Sequence, residues 1–254
     1  MQGNKNILLV NNLKKRFDGI IALDNFSCNV NQSEILGLIG PNGAGKTTLF
    51  NAITGFANTE TGTIYFKTKK LTKRIPYNIF ALGIARTFQD LRLIRQMTVL
   101  DNVLLSFKRQ AGESLWNIFF RNSKTKRVEA KNIKKAVLLL EYAGLTDKKD
   151  DLANDLSYGQ QKLLSIICCL ASDAELLLLD EPVAGINPEK IKKILSIILE
   201  QKKKGKTIVL IEHNMDVVMD ICDRVVFMDA GQKICEGSPE TVRNNPEVIQ
   251  AYLE

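Results

Sequence analysis

The feature that most constrains the fold is a glycine-rich loop placed between an apolar strand and a helix. Residues Ile35–Ile39 form a continuous apolar run, which is typical of a strand buried on both faces of a parallel sheet. Directly after this run the chain matches the pattern G-x-x-x-x-G-K-[ST], and a helical pattern begins near Lys46. The loop consists of Gly40, Pro41, Asn42, Gly43, Ala44, Gly45, Lys46 and Thr47, followed by Thr48. This arrangement predicts an α/β protein.

Each residue type in the loop suits phosphate binding. The glycines let the backbone turn tightly and point several N–H groups inward, and the following helix adds its positive end. In such a loop the lysine, here Lys46, reaches the β- and γ-phosphates, and the hydroxyl of Thr47 is a ligand of Mg²⁺. We therefore expect the loop, with Thr48, to bind a nucleoside triphosphate and Mg²⁺.

Two acidic residues follow a second apolar strand. Residues 176–179 are four leucines, and Asp180 and Glu181 come directly after them, before Pro182. By itself a strand that ends in two carboxylates is more often a solvated edge. Beside a phosphate loop, Asp180 is expected to hold Mg²⁺ through its water shell and Glu181 to polarise the attacking water.

The only histidine of the chain, His213, lies just after the predicted strand Thr207–Ile211. A single histidine is more often structural than catalytic. Its position favours a functional role, because ligands bind at the carboxyl ends of parallel strands. We predict that His213 contacts the γ-phosphate.

Alternating patterns divide the chain into three parts. The first third predicts strands at 7–10, 27–30, 35–39 and 62–66, and a helix between residues 46 and 55. The middle third has helical periodicity, with helices predicted at 98–107 and 128–143. The final third alternates strands at 176–179, 207–211 and 225–228 with helices at 189–203 and 215–222, which indicates βαβ units. We therefore expect a single domain, 1–254, with a helical insert at approximately 95–172.

Composition excludes several other classes of protein. Charged residues make up 25% and hydrophobic residues 45% of the chain, which argues against disorder as the main state. No apolar run approaches the roughly 20 residues of a membrane span, and the N-terminus has no signal-like segment, so a cytoplasmic protein is predicted. The five cysteines are odd in number and lack metal-ligand spacing. They are expected to be reduced, mostly buried thiols, rather than parts of a disulfide scaffold or zinc site.

Two further segments resemble motifs of ABC-type ATPases. The signature motif of that family is similar to the stretch Leu156, Ser157, Tyr158, Gly159, Gln160 and Gln161. Its Q-loop is similar to Arg86, Thr87, Phe88 and Gln89, where Gln89 would be the metal- and water-sensing residue, and Phe17 would stack on adenine. The resemblance spans essentially the full chain. It implies a P-loop NTPase core with an N-terminal antiparallel β-subdomain and an inserted helical subdomain.

The resemblance also implies a mechanism and partners. Two such ATPases dock head to tail, so that Ser157 and Gly159 would contact the γ-phosphate bound by the other chain. Glu181 would be the general base, His213 would hold the γ-phosphate and the water, and hydrolysis would open the dimer. The implied partners are two integral membrane permease subunits, a second ATPase that is a paralogue or another copy, and indirectly an external substrate-binding protein. The chain would then be peripheral at the cytoplasmic face of the membrane.

Three segments narrow the resemblance to the larger ATPase subunit of branched-chain amino acid importers. They are residues 184–189, 211–219 and the C-terminal stretch 243–253, and the long insert between Gln89 and Leu156 also fits. Urea-type importers share much of this pattern and stay open as an alternative. Lipopolysaccharide-export ATPases share the C-terminal stretch but lack the insert.

The chain departs from the usual family pattern at three places. Tyr158 replaces the first glycine of the signature, and Asn187 stands where many families have aspartate. The helix after the signature lacks the usual arginine and acidic residue in the stretch 165–169. Nothing in the sequence explains this last difference.

The distribution of charge bears on a rival function. Residues 106–149 contain eleven basic and four acidic residues, whereas the rest of the chain is neutral. Such a segment is compatible with a nucleic-acid or ribosome ATPase, although a solvated helix face is the simpler interpretation. Within it, the apolar cluster 115–120 is equally compatible with a membrane or permease contact and with buried core. Soluble nucleic-acid or ribosome ATPases of this fold usually carry two ATPase halves in one chain or a long coiled-coil arm. This chain has room for neither, so no nucleic-acid partner is expected. A GTPase is set aside because no Asn-Lys-x-Asp stretch is present.

Overall fold

The computed structural model describes residues 6–108 and 123–253, with side chains described except for 123–126 and 252–253. The strands are β1 (Asn6–Phe17), β2 (Ile20–Asn31), β3 (Ile35–Ile39), β4 (Thr61–Phe66), β5 (Lys69–Lys70), β6 (Ile84–Arg86), β7 (Leu176–Asp180), β8 (Thr207–Ile211), β9 (Arg224–Asp229) and β10 (Gln232–Gly237). The helices are α1 (Lys46–Ile53), α2 (Pro76–Leu82), α3 (Val99–Leu105), α4 (Ser123–Ala143), α5 (Tyr158–Ala171), α6 (Pro188–Lys203), α7 (Met215–Ile221), α8 (Pro239–Arg243) and α9 (Pro246–Leu253).

A six-stranded sheet carries the predicted phosphate loop. Its strand order is β10-β9-β3-β8-β7-β6, in which all neighbouring pairs are parallel except β10 with β9. The carboxyl ends of β3, β6, β7 and β8 therefore meet at one edge of the sheet. The prediction of an α/β protein with a parallel sheet is confirmed.

The apolar run of β3 is buried on both faces, as its sequence predicts. Ile35 and Ile39 pack into a core formed with the helices α3 to α7, whereas Leu36 and Leu38 pack into a second core. That second core lies against the other sheet and helix α1. Because side chains alternate across a strand, a fully apolar sequence is required where both faces are covered. Strand β3 thus fixes the position at which the loop begins.

The second sheet is antiparallel and confirms the predicted N-terminal β-subdomain. Its order is β2-β1-β4-β5, and β1 and β2 are joined by a two-residue turn at Asp18 and Gly19, both with positive φ. Both strands are longer than the predicted segments 7–10 and 27–30. Register shifts along the β1–β2 pair, as between Val10 and Leu13, interrupt the alternation on which the sequence prediction depended. The Asp18-Gly19 pair is typical of a two-residue hairpin turn and is the feature of the sequence that indicates this hairpin.

Helices α3, α4 and α5 lie between β6 and β7 in the chain. Their contact is apolar, through Val103 of α3, Leu140 of α4 and Leu164 of α5. Thr98 caps the start of α3, since Asp101 N donates to Thr98 Oγ1 at 3.0 Å. Helix α3 ends two residues earlier than predicted, and α4 begins five residues earlier. The apolar cluster 115–120 lies outside the described residues.

No helix in the described part of the chain is long and apolar enough to cross a membrane. The five cysteines are free thiols, and three of them are buried, as predicted. Burial raises the pKa of Cys28 to about 12 and that of Cys168 to about 11. Both thiols are therefore protonated at neutral pH and are poor nucleophiles.

Candidate nucleotide site

Two positions of the glycine-rich loop have no room for a side chain. Gly40 has a φ of 148°, and a Cβ there would lie 1.9 Å from the backbone oxygen of Met228. Gly45 has a φ of 100°, and a Cβ there would lie 2.2 Å from the backbone oxygen of Ala22. Backbone oxygens of β9 and β2 therefore occupy the space that a side chain would need at these two positions, and glycine is required at both.

Lys46 begins helix α1 and is folded over the loop. Its Nζ donates to the backbone oxygens of Gly40 at 2.7 Å and Pro41 at 2.8 Å, and the residue is buried. Burial lowers the pKa of Lys46, whereas the nearby carboxylates of Glu181 and Asp180 raise it. An ammonium held in this way by neutral carbonyls is well placed to bind a phosphate oxygen, which is a stronger acceptor.

A cavity of about 210 Å³ lies over the loop. It is lined by Ala22, Asn42, Gly43, Gly45, Lys46, Thr47, Thr48, Gln89, Glu181 and His213. Gln89, Glu181 and His213 come from loops that follow β6, β7 and β8, as expected for residues after parallel strands. The structure thus brings three distant residues of the predicted site to the phosphate loop.

Glu181 and His213 form a pair at the wall of this cavity. Glu181 Oε1 lies 3.0 Å from His213 Nε2, and both side chains are partly exposed. Glu181 has a φ of 47°, which is uncommon for a residue other than glycine. Its backbone N–H donates to the oxygen of Ile211 at 3.0 Å, which joins the ends of β7 and β8. A carboxylate and an imidazole in contact can accept, hold and transfer a proton.

Asp180 lies buried next to this pair and is engaged by an arginine. Arg86 Nη2 donates to Asp180 Oδ2 at 2.8 Å, and Arg86 Nη1 donates to Asn51 Oδ1 at 2.7 Å. The guanidinium lies over the rings of Phe50 and Phe88, at 5.2 and 4.8 Å from their centroids. Burial raises the pKa of Asp180, and Arg86 opposes this shift. Sequence reasoning placed Arg86 in a motif but gave it no role.

The oxygen donors of the site fit Mg²⁺. The Thr47 hydroxyl and the Gln89 side chain line the cavity, and Asp180 ends the strand beside it. No cluster of three or more His, Cys, Asp or Glu residues that could hold a metal occurs in the described ranges. Mg²⁺ is commonly bound through one or two protein groups together with water and substrate phosphates, and the oxygen donors of Thr47 and Gln89 suit such binding.

The site contains a third acidic residue, which the sequence patterns did not identify. Glu212 is buried and accepts hydrogen bonds from the backbone N–H groups of Val183 and His213, each at 3.3 Å. Burial raises the pKa of Glu212, and these backbone donors oppose the shift. Its carboxylate connects the loop after β7 with the loop that carries His213. The only signal in the sequence was an acidic residue directly after an apolar strand.

The remaining predicted site residues lie outside the cavity. Phe17 is 46% exposed at the hairpin between β1 and β2, and the ammonium of Lys15 lies 4.6 Å from the centre of its ring. The signature stretch lies at the start of α5, where Leu156 is buried and Ser157 and Tyr158 are exposed. The predicted residues therefore lie in three places, which are the phosphate loop with its cavity, the N-terminus of α5, and the β1–β2 hairpin with Phe17.

The fold and the cavity together define a class of protein, the P-loop nucleoside triphosphatases. Its features are a parallel sheet, a glycine loop with a buried lysine after one strand, and an Asp-Glu pair at the end of a second strand, here β7, which is separated from β3 by β8. The chain belongs to the ABC transporter family, which it matches over residues 23–184, and it is an ATPase. Residues 232–253 match a second family, described as branched-chain amino acid ATP-binding cassette transporter.

Individual relatives agree with this assignment. The chain is 40% identical to the high-affinity branched-chain amino acid transport ATP-binding protein LivG of Salmonella typhimurium, over 97% of both chains. It is 36% identical to the corresponding protein BraF of Pseudomonas aeruginosa, again over 97% of both chains.

Solved structures of ATP-binding cassettes have the same fold. An ADP-bound cassette of an ABC transporter superposes with a TM-score of 0.83 at 36% identity, covering 98% of each chain. A dimeric bacterial ABC transporter cassette superposes with a TM-score of 0.76 at 25% identity, covering 91% of this chain and 98% of that one. The predicted fold class and family are confirmed.

Proposed function

We propose that this chain powers a membrane importer for branched-chain amino acids. The observation that carries the proposal is the match of residues 232–253 to the branched-chain amino acid cassettes, together with nearly full-length similarity to LivG. These residues form β10, α8 and α9, which lie outside the nucleotide cavity. Similarity that extends so far beyond the phosphate site supports a shared transport function and not only shared nucleotide binding.

The residues in and around the nucleotide cavity support separate roles toward the adenine, the phosphates and the metal ion of ATP. Phe17 stacks on the adenine, and the loop N–H groups hold the phosphates, with Lys46 on the β- and γ-phosphates. Thr47 and Gln89 would hold Mg²⁺ directly, and Asp180 would hold it through water. When bound, Mg²⁺ neutralises charge that develops on the transferred phosphoryl group.

Hydrolysis uses the pair at the cavity wall. Glu181 accepts a proton from the attacking water, and His213, 3.0 Å from the Glu181 carboxylate, holds the γ-phosphate and the water. Gln89 lines the same cavity and orients the water. Glu212 and Arg86 keep these loops and Asp180 in place through their buried contacts.

The exposed signature stretch supports a head-to-tail dimer. Residues 156–160 lie away from the cavity of their own chain, so the nucleotide they would contact belongs to a second ATPase, either a paralogue or another copy. Ser157 and Gly159 lie at the N-terminal end of α5, where the helix dipole favours an anion. We assign residues 95–172, approximately, to a helical subdomain that carries this stretch in a single domain, 1–254.

An apolar groove supports contact with a permease. The groove has a volume of about 440 Å³ and includes Phe56, Tyr77, Phe80, Phe88 and Leu105 in its lining, with Arg92 at its edge. Phe88 lines this groove while the next residue, Gln89, lines the nucleotide cavity. We assign the groove to a cytoplasmic helix of one of two permease subunits, apolar with an acidic group to meet Arg92. The chain would then be peripheral at the cytoplasmic face of the membrane, with an external substrate-binding protein as an indirect partner.

Uptake of labelled leucine by cells that lack this chain tests the proposal. Wild-type chain should restore uptake, whereas Glu181→Gln should bind ATP but lose about 10²–10⁴-fold in hydrolysis, because the general base is removed. Glu181→Gln should also accumulate as a closed dimer and fail to restore uptake.

The matched control is Glu175→Gln, which changes an exposed glutamate directly before the same strand and should behave as wild type. Normal uptake with Glu181→Gln would contradict the role of Glu181. Restored uptake of labelled urea without that of leucine would contradict the proposed cargo.

A further inference from the structure

The signature helix α5 is packed closely against the segment that follows β7. Lys190 Nζ donates to Ser157 Oγ at 2.9 Å, and a Cβ at Gly159 would lie 2.7 Å from Lys190 Cδ. On the same side, the ring of Tyr158 lies 3.4 Å from the position of a Cβ at Gly185. The N-terminus of α5 therefore has little freedom to move without moving the chain between β7 and α6.

A buried lysine lies at the centre of this interface. Lys162 is 3% exposed, and its Nζ donates to the backbone oxygen of Glu181 at 2.5 Å. The same ammonium lies 5.5 Å from the ring centre of Tyr158, one helical turn earlier. Burying an ammonium is unfavourable unless hydrogen bonds compensate for the lost water. The Glu181 oxygen accepts a hydrogen bond from this ammonium, and the charge of Lys162 also opposes the rise that burial causes in the pKa of the nearby Asp180 carboxylate.

The backbone that Lys162 contacts has an unusual conformation. Glu181 has a φ of 47°, in the left-handed region that residues other than glycine rarely adopt. The N–H of Glu181 is held by the oxygen of Ile211 at 3.0 Å, and its oxygen is held by Lys162. This residue is thus fixed from β8 on one side and from α5 on the other. In this conformation the Glu181 carboxylate reaches His213 and lines the nucleotide cavity.

We propose that Lys162 is a positioning residue that holds Glu181 in its left-handed conformation from the signature helix. The inference rests on the role proposed above for Glu181. Because Lys162 and Ser157 belong to the same rigid helix end, a shift of α5 moves the backbone of Glu181. Contact of the signature stretch with the nucleotide of the other chain is then coupled to the orientation of the Glu181 carboxylate in this chain.

A double-mutant cycle tests this inference on the full chain purified with its membrane companions. Lys162→Met keeps the length of the side chain and removes the donor, whereas Lys162→Arg keeps a cationic donor. Single-turnover ATP hydrolysis and binding of a fluorescent ATP analogue are measured for each variant, alone and in the Glu181→Gln background. If Lys162→Met is too unstable to purify, Lys162→Gln, which is too short to reach the carbonyl, takes its place.

Lys162→Met should hydrolyse ATP about tenfold more slowly with nucleotide affinity within about twofold of wild type, and Lys162→Arg should recover most of the rate. In the Glu181→Gln background Lys162→Met should not lower the hydrolysis rate any further, since the effects of two substitutions are not additive when one residue acts through the other. The control is Lys190→Met, which removes a lysine of the same interface that contacts Ser157 and not Glu181. It should lower the hydrolysis rate by the same factor in both backgrounds.

Two results would overturn the inference about Lys162 alone. The first is a normal rate of ATP hydrolysis by Lys162→Met while Glu181→Gln is slow. The second is that Lys162→Met lowers the rate by the same factor in the wild-type and Glu181→Gln backgrounds. Normal hydrolysis by Glu181→Gln would instead overturn the proposed general base.

Discussion

At the scale of single residues, Arg86 has the environment least like that of an ordinary arginine. Its side chain is 4% exposed, lies over the rings of Phe50 and Phe88, and pairs with the carboxylate of Asp180, which is 1% exposed. Burial lowers the pKa of Arg86, and its hydrogen bond to Asp180 opposes this shift. The pair therefore keeps two charges buried together, and each depends on the other.

Arg86→Met should lower the free energy of unfolding by about 3–5 kcal/mol, because it leaves the buried Asp180 charge without a partner. Urea denaturation followed by circular dichroism measures this loss. The matched control is Arg92→Met, since Arg92 is exposed and lies over the same Phe88 ring. Arg92→Met should lower the free energy of unfolding by about 1 kcal/mol or less. Equal losses for the two variants would contradict the importance of the buried pair.

Residue patterns in the sequence found only part of the site. Lys46, Glu181 and His213 were identifiable because each follows an apolar strand whose carboxyl end must face the ligand. The contact of Arg86 with Asp180 was not, because 94 residues separate them and only the pairing of β6 with β7 brings them together. The contact of Lys162 with Glu181 was not identifiable either, because Lys162 lies in the first turns of α5 and its sequence neighbours give no sign of a partner 19 residues further on.

At the scale of elements, the sequence predicted the strands with two buried faces in full and β1 and β2 only in part, and it missed β5, β6 and β10. Strands β3, β7 and β8 are entirely buried, so that their apolar runs are unmistakable. Strand β6 has three residues, too few for a period, and the edge strand β10 is polar and partly exposed. The loop that leads from β6 to Gln89 therefore had to be located by its resemblance to a motif.

The apolar groove is the element-scale feature that should decide assembly. Tyr77 of α2 lines it and is 65% exposed. Tyr77→Glu should prevent co-purification with the permease subunits while ATP binding is retained, because a carboxylate would have to be desolvated in the interface. Quantitative mass spectrometry of affinity-purified complexes measures this.

The control for the groove is Ile133→Glu, which places the same charge at an exposed apolar residue of α4 that does not line the groove. It should leave the complex intact. Undiminished permease recovery with Tyr77→Glu would show that the permease binds elsewhere.

At the scale of the whole molecule, the placement of the site residues supports the proposal that one chain is half of a working unit. The cavity with Lys46, Glu181 and His213 and the exposed stretch with Ser157 lie at different places of one chain. Two chains placed head to tail would supply each cavity with a signature stretch. The basic segment 106–149 bears on the identity of the remaining partners, since its charge is compatible with anionic lipid, an acidic protein or nucleic acid.

The central claim is that this ATPase drives a membrane transporter, and its companions test that claim most directly. The tagged chain is purified gently from detergent-solubilised native membranes, and its companions are identified by mass spectrometry. We predict two polytopic permease subunits together with a second ATPase. Recovery of ribosomal proteins or RNA in their place would contradict the account and would make the basic segment the functional centre of the molecule.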